Sequence, residues 1–380
     1  MRDFEAEYRR LERQLSHERK EAREVIRTLL PDPSSYLGVP LPPEWLTADM
    51  TFELADIANE LLERSPDNSG VLAELATIVA ASLGDDYPRV WRAQAIAGAW
   101  KEVANAHRFR SNYDDALAAL QRGNDALENE PALGHDLAIL VFARATTLSE
   151  MTRHPEALEQ LDEATEIFSE FGDEHRIAQC ELLRGMIHQR QGYAARARAA
   201  YRRALAGARK IGEAQTAASA LSNLGVLDAD NLRPSDAVDS FRQARAIFAD
   251  LGARAEVARA GWGIGFALLA ARRYAAAIPV LREARQQLRL LSMPEEGGIA
   301  GVDLVQAYLA MDKYDAARRL LLAVIEEFRT AGLNERAFVA LKYLHDAVPE
   351  ARPETARHVR TYLIRLRDEP GLLFLPPGGQ

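Results

Sequence analysis

Residue types that do chemistry are thinly spread along this chain. Histidines stand at positions 17, 107, 135, 154, 175, 188, 345 and 358, and the single cysteine is Cys180. A metal site needs three or four such groups converging. Neither CxxC nor HExxH occurs, and there is no glycine-rich loop with its lysine to cradle a phosphate. His107 and His188 read as histidines satisfied in a core. Asp173, Glu174 and His175 read as a helix start, with acid near the positive end of the helix dipole. Cys180 has no lysine or histidine at helical spacing to stabilise a thiolate, so it reads as a buried, inert thiol. Asp85 and Asp86 read as solvated turn residues, because acid–base work needs burial and a fixed separation. The expectation is that the chain is not an enzyme and takes no metal or cofactor.

Charge narrows the classes further. Lys plus Arg number 47 against 56 Asp plus Glu, a net charge of -9. Two arginine clusters stand out, at 196, 198, 202, 203 and 209, and at 357, 360, 365 and 367 beside His358. Arginine stems also cover apolar surface on helices. With an acidic balance and no helix-turn-helix signature, nucleic acid is not an expected partner. No run of eighteen apolar residues suggests a membrane span. The start, MRDFEAEYRRLERQ, lacks the apolar core of a signal peptide. A cytoplasmic location follows as the expectation.

Any site must be positioned by the feature that repeats. The segments YDDALAAL, HPEALEQL, AARARAAY, PSDAVDSF, YAAAIPVL and YDAARRLL carry a small residue at Ala116, Ala157, Ala197, Ala237, Ala277 and Ala317, at intervals of 41, 40, 40, 40 and 40. Twelve residues before each lies a second anchor: Ala104, Ala145, Gly185, Gly225, Gly265 and Val305. Four residues after each comes a large one: Leu120, Leu161, Tyr201, Phe241, Leu281 and Leu321. Spacings of three and four share one helical face. Each unit is therefore a helical hairpin, with Gly225 expected to face Ala237 in the fourth. One hairpin cannot bury its own apolar face, but stacked neighbours can. Glycines at 172, 212, 252 and 332 close the second helices, where a left-handed residue is needed. The fifth junction, Ser292-Met-Pro-Glu-Glu-Gly297-Gly298, reads as a loop variant or an altered joint angle.

These units resemble the tetratricopeptide repeat (TPR), whose pattern is W-x2-L-G-x2-Y followed by A-x3-F. The fourth unit gives Leu221-Ser-Asn-Leu224-Gly225, then Ala237-Val-Asp-Ser-Phe241; the first gives Trp100-Lys-Glu-Val103-Ala104, then Ala116 and Leu120. The usual TPR unit is about 34 residues. The longer unit here resembles those of bacterial peptide-sensing regulators and motor light chains. The resemblance implies an all-α fold, a right-handed TPR-like α-solenoid of stacked antiparallel helix hairpins. It implies a scaffold that binds a peptide segment or partner protein in a concave groove. The alternative is a regulatory sensor that changes shape on binding a signalling peptide or small ligand.

In that family the first helices line the concave side. Carried over, the ligand-facing positions include Lys101, Asn105 and Arg108 in the first unit, Phe142 in the second, Met186 and Arg190 in the third, Asn223 in the fourth, and Trp262, Phe266 and Leu269 in the fifth. Lys101 with Asn105 resembles the opening half of the family's clamp for a C-terminal carboxylate, but the next unit offers Ala143 where Asn is needed. Trp262, Phe266 and Leu269, at i, i+4 and i+7, share one helix side as an apolar patch. Lys101, Arg108 and Arg190 make one end basic, which suits a segment with apolar anchors and acidic groups.

The flanks differ from the repeats. Residues 1–48 read as a helix over 3–29, with a thin apolar stripe of Leu11, Leu15, Ile26 and Leu29, and a proline-rich linker lying extended on the first hairpins. Residues 49–84 read as a degraded hairpin, 85–332 as six repeats, and 333–380 as a degraded capping hairpin with an apolar tail, Leu372-Leu-Phe-Leu375. Atypical ends protect a solenoid from growing, so a monomer or weak dimer is expected. Asp228 is expected on the surface.

Overall fold

The computed structural model describes residues 19–377 apart from 63, 232 and 351. The described residues are all-α, without a strand, in the stacked-hairpin architecture of a TPR-like α-solenoid. Leu11, Leu15 and His17 lie outside them. The chain divides into two compact units, Met1–Leu183 and Arg184–Gln380. The first holds α1 (19–29), α2 (Ala48–Leu61), α3 (Pro66–Ala81), α4 (Arg89–Phe109), α5 (Tyr113–Leu127), α6 (Gly134–Glu150), α7 (His154–Glu170) and the start of α8 (Glu174–Arg190). The second holds the end of α8, then α9 (Ala194–Lys210), α10 (Ala214–Asp230), α11 (Pro234–Asp250), α12 (Arg254–Ala270), α13 (Tyr274–Leu290), α14 (Pro294–Leu309), α15 (Tyr314–Thr330), α16 (Glu335–Ala347) and α17 (Pro353–Asp368).

From α6 to α13 every helix has 17 residues and every turn three, which accounts for the 40-residue period. The turns share one backbone device. Where the middle residue is described it is left-handed, as at Gly212 (φ 71°) and Gly252 (φ 70°). The next N–H then reaches the carbonyl five residues back, as from Glu213 to Ala208 and from Ala253 to Phe248, both 2.9 Å. This is the Schellman arrangement, which satisfies carbonyls that a helix end leaves open. The fifth junction is not a loop variant: Ser292 takes φ 58° and Met293 N–H donates to Leu288 at 3.0 Å.

Packing within a hairpin follows the small anchors, with one change of partner. A Cβ at Gly225 would lie 2.9 Å from the Phe241 ring, and one at Gly265 2.4 Å from Leu281. Each glycine anchor thus receives the large residue sixteen positions on, rather than the small one twelve positions on. Successive first helices approach each other directly: α2 with α4 and α4 with α6 in the first unit, α10 with α12 and α12 with α14 in the second. Second helices pack on the first helices that flank them. The first helices therefore form the inner face of each unit.

The flanks depart from expectation in the linker and in the direction of α17. Ala22, Ile26 and Leu29 dock α1 into the core of the first unit. The proline-rich linker is not extended; it folds into two single 3-10 turns, Pro33–Tyr36 and Pro43–Trp45, with the Tyr36 and Trp45 rings 5.6 Å apart. At the other end, α16 packs on α15, but α17 turns inward onto α14. Ala356, Val359, Leu363 and Leu366 there share a core with Ile299, Val302 and Val305. The tail folds back over α17. Phe374 packs between Tyr343, His358 and Tyr362, while Leu373 and Leu375 face solvent.

Candidate functional site

The residues expected to face a ligand fall into both units. In the first, α4 carries Lys101, Asn105 and Arg108. The Lys101 ammonium lies 2.6 Å from Glu102, and the Asn105 amide donates to the same carboxylate at 2.9 Å. Glu102 is buried, and a buried carboxylate needs such partners. Both donors of the expected clamp are thus turned onto an internal acid. Arg108 pairs with Glu150 at 2.6 Å, and Phe142 on α6 is half-buried. Nearby, Arg19 and Arg23 of α1 pair with the buried Asp49 (3.4 Å) and Glu53 (2.5 Å) of α2. Burial, and then the Glu53 charge, push the Asp56 carboxyl above the usual range. The Lys101 and Arg108 part of the expected basic end is therefore neutralised within the unit and bordered by acids.

In the second unit, α8 presents Met186, half-buried, and Arg190, exposed. Tyr201 is buried beneath Gln189 and donates to its amide oxygen at 2.7 Å; burial pushes the Tyr201 hydroxyl well above its ordinary pKa. On α10, Asn223 is half-buried and Val226 exposed, with Asp230 at the helix end. Burial pushes the Asp230 carboxyl up, against the charge of Arg360. Asp228, expected outside, is buried and paired with Arg198.

On α12 the apolar patch is only partly as expected. Trp262 and Phe266 are half-buried, but Leu269 is 1% exposed and belongs to the core with Leu304 and Ala307 of α14. The helical spacing is right; at that height the neighbouring helix fills the face. Trp262 Nε1 donates at 2.7 Å to Asp303 Oδ2 on α14. Arg360 Nε of α17 lies 2.7 Å from Asp303 Oδ1, and its guanidinium sits 4.0 Å from the centre of the Phe266 ring. Asp303 is fully buried. Burial pushes its carboxyl up, while Arg360 and then the Trp262 indole pull the other way. Four residues from three helices thus form one slot: an acid, an indole donor, an aromatic face and a cation.

Sequence reasoning places Trp262, Phe266 and, by register, Asp303 on the inner face, but it does not bring Arg360 to them. Asp303 sits at an inner position of the sixth unit, so its register is the one signal available. Arg360 stands in a run of arginines that looks like a basic patch. Of the histidines, His135 is 2.8 Å from Asp173 and packs its ring against Phe168 and Phe171. Asp173 also accepts from the Arg176 N–H at 3.0 Å and so starts α8. Cys180 is buried. Among the described residues no group of three His, Cys, Asp or Glu could hold a metal ion, and no helix is long and apolar enough to cross a membrane.

Comparison with known proteins agrees with this geometry at the level of fold. Two tetratricopeptide repeat family profiles match, over residues 135–210 and 268–342. No curated protein matches the sequence. Among solved structures, a Rap protein complexed with Competence and Sporulation Factor superposes with a TM-score of 0.57 at 14% identity, over 94% of this chain and 98% of that one. The apo form of the quorum sensor NprR from B. thuringiensis gives 0.58 at 12%, over 94% and 99%. A STAND protein with a TPR sensor, PH0952 from Pyrococcus horikoshii, gives 0.58 at 12%, over 87% and 54%. The motor light chains of the sequence resemblance gain no support from these three. The chain carries tetratricopeptide repeats, matched over residues 135–210 and 268–342.

Proposed function

We propose that this protein is a non-enzymatic regulatory sensor, which binds a peptide segment on the inner face of its C-terminal unit and changes shape in response. One observation carries the reading: the inner face of α12 and α14 already holds a helical segment, α17, through an apolar contact and a buried ion pair. A surface that accepts one such segment has the anchors and polar groups that peptide recognition uses. On α10 the half-buried Asn223 and the exposed Val226 and Asp230 offer a mixture of polar and apolar groups, and the charge of Arg360 on α17 reaches Asp230. Two similar structures, a Rap protein complexed with Competence and Sporulation Factor and the quorum sensor NprR, favour a responsive sensor over a static scaffold. That support is by analogy of fold.

The test is selection of binders from a random peptide library displayed against the full chain, followed by small-angle scattering with and without the selected peptide. Binders should lose roughly 2 kcal/mol or more of affinity in Asn223→Ala/Phe266→Ala, and should alter the scattering curve of the wild-type chain. Binders indifferent to the double substitution would place recognition elsewhere. Binders that leave the curve unchanged would reduce the protein to a scaffold.

A further inference from the structure

We infer that the slot of Trp262, Phe266 and Asp303 is a receptor for a guanidinium group, filled in cis by Arg360, and that it takes peptides presenting an arginine among apolar residues. This rests on the peptide-binding reading above and names its ligand class. Asp303 is completely buried, so its carboxylate must be paired or give up its charge. The neutral Trp262 indole satisfies Oδ2 and fixes the carboxylate's orientation, leaving Oδ1 for a cation. Phe266 offers that cation an aromatic face at 4.0 Å. A planar, weakly hydrated guanidinium stacks there; an ammonium has no plane to stack. The charge of Asp230 reaches the same cation.

None of the repeats supplies the cation. It comes from α17, the helix that departs from the stacking pattern. Val359 and Leu363 flank Arg360 and lie buried in one core with Val302 and Val305. In composition and placement α17 is a tethered ligand, an arginine with apolar anchors on either side. Tethering raises the effective concentration of such a segment, to on the order of millimolar for a short flexible linker. A free peptide must therefore reproduce both arginine and anchors to displace it.

The full chain carrying Arg360→Ala is titrated with ethylguanidinium, and the Trp262 indole N–H resonance is followed, identified by its loss in Trp262→Phe. The resonance should move on substitution and return with ethylguanidinium, with ethylammonium restoring little of the shift. Equal recovery with both cations, or none with either while circular dichroism shows native helix, would overturn the slot. Should Arg360→Ala fail to fold, Arg360→Lys carries the same test, with a displaced resonance expected despite the retained charge and an undisplaced one contradicting it. In the full chain with Arg360→Ala/Leu363→Ala, a synthetic peptide of residues 353–368 should bind about tenfold tighter with its arginine than with alanine at 360; equal affinities would contradict the inference. A peptide that moves the Trp262 resonance without changing the scattering leaves the slot standing and removes the sensor reading. One that changes the scattering without moving the resonance does the reverse.

Discussion

At Gly225 the missing Cβ sets how closely two helices approach, because the Phe241 ring occupies its place. Gly225→Leu should cost about 1–3 kcal/mol by overpacking, measured by denaturant unfolding against Arg242→Ala, whose side chain is exposed. A cost equal to that control would mean the hairpin register is wrong. Asp228 differs in kind. It and Arg198 are both largely buried, so Asp228→Ala should cost about 3 kcal/mol by stranding a cation, and a near-neutral change would show the pair open to water. Asp173 supplies a pH signature. Burial works to raise its carboxyl pKa, but the Arg176 N–H and His135 outweigh it and hold the value below the usual carboxylate range. Its contribution to stability is therefore complete above the unfolded pKa and is lost as pH falls through the lower folded one. Unfolding curves taken below about pH 4 should show a shallower acid loss in Asp173→Asn than in the wild type. Parallel acid limbs would assign the effect to other groups.

At the scale of elements, the turns and the last helix behave oppositely. The turn is a local device: one left-handed residue and one N–H to a carbonyl five residues back. Gly212→Ala should cost about 1 kcal/mol or more, because a Cβ is strained at φ 71°; Ser292→Gly should gain a few tenths to about 1 kcal/mol by relieving the same strain. Thermal midpoints moving the other way would contradict the shared geometry. This local device is why the helices are legible in the sequence: Gly172, Gly212, Gly252 and Gly332 mark the ends directly. Ser292 escapes that reading because it meets the same backbone demand without being glycine. The direction of α17 is not legible, since Arg357, Arg360, Arg365 and Arg367 look alike until tertiary packing selects Arg360. Lys101 and Asn105 mislead for a related reason: Glu102, adjacent in sequence, turns both donors onto itself. A double-mutant cycle between Arg360→Ala and Asp303→Asn isolates the α17 anchor, with a coupling of about 2 kcal/mol or more expected. A coupling near zero would mean the apolar contact alone holds the helix.

At the scale of the molecule, repetition explains both the fold's legibility and its silence about function. Each repeat unit meets the same packing demand, so period and anchors identify hairpins, while the proposed ligand would depend on the few inner residues that differ between units. Trp262, Asp303 and Phe266 are such residues, and the segment resting on them comes from the chain's own C-terminal end. The tail then covers α17, with Phe374 set among Tyr343, His358 and Tyr362. We propose that the chain, 42.1 kDa, is a monomer or weak dimer; sedimentation at micromolar concentration should give that mass, and a tight oligomer dissolved by deleting residues 369–380 would make the tail an interface instead. On the proposed mechanism a peptide acts by taking the inner face from α17. Hydrogen exchange of the full chain with a saturating selected peptide should then slow in α10 and α12 and quicken in α17; protection confined to other helices, with α17 unchanged, would show that the peptide does not displace it.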